Sequence, residues 1–271
     1  MSNAPHADRA LKLESRAVIR LGGAEAKTFL NGLVTNDVEK VAPGKAIYAG
    51  LLTPQGKYLF DLIVFEDGAT GDLLLDVEAA RVADLTRKLM LYRLRTPVEI
   101  EPTERSVWAI LGNIHAGDSV ASPDPRHPDL GWRALLEPGV MPDAAPLDLA
   151  TYEQNRLLLG VPDGSRDMAV EKDFWLETGA ERLNGVAFDK GCYVGQELTA
   201  RMKHRTSVKK LVVPVEVEGG APAPGTEIVT ADGKAAGEIR SGHGDHALAW
   251  LRLEYGDDQL AADGKPVTLI R

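Results

Sequence analysis

At 271 residues the chain is longer than one comfortable core, so two or three subdomains are expected. Hydrophobic residues make up 44% and charged residues 26%, ordinary for a globular protein, and the formal charge of −9 argues against DNA or an anionic membrane as partner of the molecule as a whole. A single cysteine excludes an internal disulfide and a cysteine-only metal site within one chain.

The opening, MSNAPHADRALKLES, has no apolar centre of the kind a signal peptide needs, and reads as a loose arm. No run of about 18 apolar residues offers a bilayer-spanning helix. With one thiol and no export signal, a reducing cytoplasm is the expected compartment. RAVIRL (16–21) alternates as a strand does. Ala26, Phe29, Leu30, Leu33 and Val34 then form one helical stripe. AIYAGLL (46–52) and YLFDLIVF (58–65), joined by TPQGK, predict a hairpin, and LLLDV (73–77) a further strand. EAARVADLTRKLMLYRL is the clearest helix, with Val82, Leu85, Leu89 and Tyr92 on one face, and TPVEIEP leaves it as a strand. This β-α-β-β-β-α-β order predicts an α+β class, helices covering one face of a mostly antiparallel sheet.

Short strands follow at SVWAIL and WRALLE, and the proline-rich EPGVMPDAAP marks a boundary. LDLATYEQNRLLLG predicts a helix ended by Gly160. From Val208 onward short strands alternate with glycine-rich turns, two of them ADGK, which predicts a small β-barrel or sandwich. The expected divisions are 1–145, 146–207 and 208–271.

Cys192 lies in FDKGCYVGQELTAR, bracketed by Gly191 and Gly195. QELTARMKH after Gly195 has a helical pattern, so the cysteine would sit in a loop feeding a helix start. A helix start and the nearby Lys190 are the surroundings that lower a thiol's pKa. A small buried cysteine packed under a turn is the alternative. Between Lys190 and Lys210 six basic residues face one acid, a local charge of +5. That patch, Arg201 included, suits a polycarboxylate tail, a phosphate or an RNA backbone, or is simply a solvated face.

KGCYVGQE resembles the signature of the YgfZ family of folate-binding proteins, and the extension YVGQELTAR leans toward its mitochondrial-type branch. YEQNRLLLGVPDGSRD and LNGVAFDKGC continue the resemblance; FLNGLVTND and GLLTPQGKYLFDLIVF carry it more faintly. It implies a fold like the T-protein of the glycine cleavage system, with three subdomains around a central cavity that binds tetrahydrofolate. It also implies a helper in iron–sulfur protein assembly or repair, affecting tRNA thiomodification in bacteria, rather than a conventional enzyme. Cys192 would be the functional thiol, with Lys190, Gln196 and Glu197 beside it. A transient cluster would draw its remaining ligands from a partner, an assembly or client protein.

For the folate, Asp61 stands on the strand where T-proteins carry an acid near the pterin; the alternative is an outward-facing residue. Tyr48 could stack on the ring or be a core tyrosine. Tyr152 and Arg156 share a helix face, and Glu153 is spaced to pair with Arg156 at the surface. T-proteins follow that arginine with a glutamate; here Leu157, Leu158 and Leu159 follow it, which argues against the T-protein reaction. A tetrahydrofolate-dependent one-carbon transferase and an adaptor using the +5 patch for protein or tRNA are the competing readings.

Overall fold

The computed structural model describes residues 8–112, 120–205 and 208–270. The opening arm, 1–7, and the side chain of Arg205 lie outside the described residues. In chain order the first elements are β1 (Arg9–Lys12), β2 (Arg16–Gly22), α1 (Ala26–Asn31), β3 (Ile47–Leu52), β4 (Tyr58–Glu66), β5 (Leu73–Glu78), α2 (Val82–Arg93) and β6 (Glu99–Thr103). There follow β7 (Ser106–Leu111), β8 (Val120–Pro123), β9 (Trp132–Leu136), β10 (Ala145–Pro146), α3 (Leu149–Leu158) and α4 (Gln196–Arg205). The last six strands are β11 (Lys210–Val217), β12 (Glu227–Thr230), β13 (Ala235–His243), β14 (His246–Arg252), β15 (Leu260–Ala262) and β16 (Lys265–Leu269). The α+β class is observed.

The chain forms two compact units interleaved in sequence. The first comprises Met1–Leu51, Phe60–Leu149 and Asn184–Val194; the second comprises Leu52–Leu59, Ala150–Leu183 and Gly195–Arg271. The first unit holds a sheet of order β3-β4-β5-β2-β6 and another of order β10-β1-β7-β9-β8. β4 reads as an almost unbroken apolar run because both its faces are covered; every residue from Tyr58 to Phe65 is buried. Helix α2 packs on β2 and β6 through Leu85 and Leu89, which are fully buried.

Two elements differ from expectation. The stripe through Leu33 and Val34 is not helical: α1 ends at Asn31, whose side-chain oxygen accepts from the Val38 N–H at 3.0 Å and turns the chain. Leu33 and Val34 are buried all the same, Val34 in a bridge to Leu51. Strand β1 has too short a pattern to announce itself, and is defined by pairing with β7 and β10, over 90 residues away.

In the second unit β11 to β16 close into a six-stranded barrel of order β11-β14-β13-β12-β15-β16, packed around Val215, Val217, Ile228, Ile239, Leu251 and Val267. The turn of the β3–β4 hairpin, Thr53–Lys57, belongs to this unit and meets the start of α4. Gly195 has φ +85°, and a Cβ there would stand 2.6 Å from the Thr53 carbonyl oxygen and 3.1 Å from the Gly56 Cα. Only glycine satisfies both the backbone conformation and the approach. Gly191 has open space around its Cβ position.

Gly195→Ala is therefore expected to cost roughly 1–3 kcal/mol of stability, and Gly191→Ala less than about 0.5 kcal/mol. Equilibrium urea unfolding of the two variants checks this; equal effects would remove the structural role assigned to Gly195.

Candidate functional site

The loop that carries Cys192 is fixed on both sides. Before it, the Lys190 Nζ donates to the carbonyl oxygens of Asn31, Val34 and Asn36 at 2.7, 2.8 and 2.8 Å. An ammonium has three N–H groups, and all three are matched by carbonyls at and beyond the end of α1. Burial lowers the Lys190 ammonium to about 8, against the opposing pull of Asp37. After the cysteine, Tyr193 is buried, and Gly195 closes on the hairpin turn. Between these anchors Gly191 and Cys192 are exposed, which rules out the packed, buried cysteine. Lys190, expected beside the thiol as its activator, has its charge committed to the carbonyl cage.

A second set of bonds ties the approach to this loop. Thr35 Oγ1 donates to the Gly185 carbonyl at 2.6 Å and accepts from the Gly50 N–H at 2.8 Å. Asn36 Nδ2 donates to the carbonyls of Tyr48 and Asn184 at 2.8 and 2.7 Å. Ala187 N–H donates to the Thr35 carbonyl at 3.0 Å. Sequence reasoning singled out LVTND and LNGVAFDKGC separately, and did not see that they bond to each other. Thr35 and Asn36 were missed; polar residues directly after an apolar stripe were the available signal.

Tyr48 and Asp61, also in the first unit, belong to a buried set of charges. Arg16, Asp61 and Asp76 share a sheet face because the strand register places positions of like parity together. Arg16 Nε donates to Asp76 Oδ1 at 2.6 Å, and its Nη1 lies 3.7 Å from Asp61 Oδ2. Arg133 Nε lies 3.6 Å from the other Asp76 oxygen, and its Nη2 bonds Asp124 at 3.2 Å. Arg126 grips Asp124 through two bonds, at 2.9 and 2.7 Å, and its guanidinium stands 5.9 Å from the centre of the Tyr48 ring. Asp61 is 2% exposed, so it is not the outward-facing residue that a half-exposed strand would present. Burial, reinforced by the Asp61 charge, raises the Tyr48 hydroxyl well above its ordinary pKa. Burial also pushes Asp124 up, but Arg126 and then Arg133 outweigh it and hold the carboxyl at about 2.

In the second unit Arg156 is a hub rather than half of a surface pair. Its five N–H groups reach Glu153 twice (2.9 and 2.8 Å), Asp167 (2.9 Å), the Val161 carbonyl (3.2 Å) and Ser241 Oγ (3.0 Å). Arg166 also bonds Glu153. Burial raises the Asp167 pKa, and the Arg156 charge opposes it. Tyr152 is buried on the same helix, whereas Leu149 at its start is 59% exposed. Gln196 is half-buried and Glu197 exposed, the latter 3.6 Å from exposed Arg201. Within the +5 window, Lys190 is caged in the first unit; in the second, Lys203 pairs with Glu181, and Lys210 lies 4.1 Å from the Trp250 ring centre. A window count cannot see Glu181, 22 residues upstream.

The fold defines the class. Aminomethyltransferase T of the glycine cleavage system from Bartonella henselae matches with a TM-score of 0.80 over 98% of this chain and 86% of that one, at 14% identity, a likeness of fold alone. Residues 209–271 match the CAF17 C-terminal β-barrel domain. The mitochondrial iron–sulfur cluster assembly factor IBA57 of Mus musculus is 35% identical over 90% of this chain and 77% of its own length; that of Homo sapiens is 35% identical over 95% and 82%. The chain belongs to the IBA57 family of iron–sulfur cluster assembly factors, within the CAF17/YgfZ group. These relatives are mitochondrial proteins by name, so the cytoplasmic expectation does not stand.

Two outcomes test the buried charges. Arg156→Ala leaves Asp167 and Ser241 without their cation and is expected to cost about 3–5 kcal/mol by denaturant unfolding. The low pKa of Asp124 contributes stability that is complete above its unfolded pKa and is lost as pH falls from about 4 through about 2. Acid unfolding curves of the wild type and Asp124→Asn should therefore converge at the acid end and separate above about pH 4.

Proposed function

We propose that this protein assists the assembly or repair of iron–sulfur proteins through Cys192, and that tetrahydrofolate is its ligand. The observation that carries the reading is an exposed thiol two residues after the caged Lys190. A thiolate is both a nucleophile and a soft ligand for iron. One cysteine per chain is too few for a cluster, so a client or assembly protein supplies the other ligands.

The donor set that fits the pterin edge is Asp61 with Tyr48: a buried carboxylate accepts N–H donors, and a phenol offers a ring face and a hydroxyl. Arg156 and Glu153 are bonded to each other and do not enter this set. Folate, when bound, supplies one-carbon or reducing chemistry; the chain's own part is to hold it and to present the sulfur. Effects on tRNA thiomodification would follow through client enzymes that need clusters. The transferase alternative is disfavoured by the three leucines after Arg156.

Cells lacking their own factor, complemented with Cys192→Ala, are expected to lose iron–sulfur enzyme activity while the purified variant keeps its melting temperature and its tetrahydrofolate affinity. Calorimetric titration should show Asp61→Asn and Tyr48→Phe weakening tetrahydrofolate about tenfold or more. Full complementation by Cys192→Ala would end the thiol reading. A wild type that does not bind tetrahydrofolate would end the folate reading and leave the other standing.

A further inference from the structure

Helix α2 is apolar on two sides. Leu85 and Leu89 face the core, as an amphipathic helix requires. On the solvent side Met90, Leu91 and Leu94 are 44%, 68% and 84% exposed, where a surface helix ordinarily carries charge. Leu94, the most exposed of the large apolar side chains among the described residues, has φ +48° and ψ −106°. That conformation suits glycine and is strained for leucine. The backbone thus holds an apolar side chain out in water at a conformational cost.

The rim of this ridge is cationic. Arg87, Lys88, Arg93 and Arg95 surround it; the acids beside them are Asp84, bonded to Arg87 at 2.7 Å, and Glu25. Arg93 also reaches the Val98 carbonyl at 3.3 Å, and Lys88 lies 5.5 Å from the Tyr92 ring centre. Glu25, Arg95, Thr96 and Pro97 line a shallow, open depression beside Leu94.

We propose that the C-terminal end of α2, with Leu91 and Leu94 at its tip and Arg87, Lys88, Arg93 and Arg95 around it, docks on an anionic phospholipid bilayer. The exposed Leu91 and Leu94 side chains would enter the acyl boundary, while the guanidinium groups meet headgroup phosphates. No helix among the described residues is long and apolar enough to cross a membrane, so this is contact with one leaflet. The whole-chain charge of −9 does not oppose it at contact, because charges farther away than about 10 Å are screened in physiological salt.

Flotation of the full chain with vesicles of phosphatidylcholine alone, or with about a third phosphatidylglycerol, tests the proposal. Binding to the anionic vesicles should exceed binding to the neutral ones by about tenfold, and fall as salt rises from about 0.1 to 1 M. Leu91→Ser with Leu94→Ser, and separately Arg87→Ser with Arg95→Ser, should each cut binding by about tenfold without lowering the melting temperature. Leu94→Gly should raise the melting temperature by relieving the strained φ, and still weaken vesicle binding. Failure to float with anionic vesicles, equal binding to both compositions, or binding indifferent to these substitutions would overturn the proposal; the first would leave the ridge to an acidic protein partner.

Discussion

The cage around Lys190 is the interaction on which the presented loop depends. An ammonium withdrawn from water is costly, and its lowered pKa shows that burial is the largest influence on it. The three carbonyls, Asn31 at the end of α1 and Val34 and Asn36 in the turn beyond it, converge on one side chain, which completes them and is itself completed. A neutral side chain of similar length would fill the space and leave three carbonyls unmatched. The charge is retained for what it positions, the two exposed residues that follow.

The same logic recurs in the other buried charges. In the first unit three arginines and three aspartates cancel one another, and strand register places Arg16, Asp61 and Asp76 of the set on one sheet face. In the second, Arg156 has a partner for each N–H group. Such sets add little net stability over well-packed apolar residues, but removing one member strands the rest. They act as locks on arrangement, and in the second unit they engage Arg156 and Glu153 with each other and with the protein.

Much of this was legible in the sequence where periodicity or a turn carries the signal. The β3–β4 hairpin, α2, α3 and the barrel strands follow from alternation, helical stripes and turn residues. The short α1 was not, because a stripe continues through residues that a turn can bury equally well, and the Asn31 side chain ended the helix. The exposed cysteine was legible as an anomaly of its surroundings. The partners of Lys190 were not, since they lie some 150 residues away and are backbone atoms, which leave no trace in residue type. Whole-chain charge is an average, and it carries no trace of local clusters such as Arg87, Lys88, Arg93 and Arg95 around the end of α2.

Taken residue by residue, the signature KGCYVGQE is mostly mounting. Lys190 is caged, Tyr193 is buried, and Gly195 is fixed by its close approach to Thr53 and Gly56. Gly191 has open space where a side chain would stand, and Cys192 after it is exposed. A site built for catalysis within one chain surrounds its nucleophile with a base and an oxyanion donor. Here the neighbouring cation is turned into the protein and the sulfur is turned out. That arrangement leaves the sulfur accessible from solvent, while the hydrogen bonds and close contacts of its neighbours set the backbone of the loop.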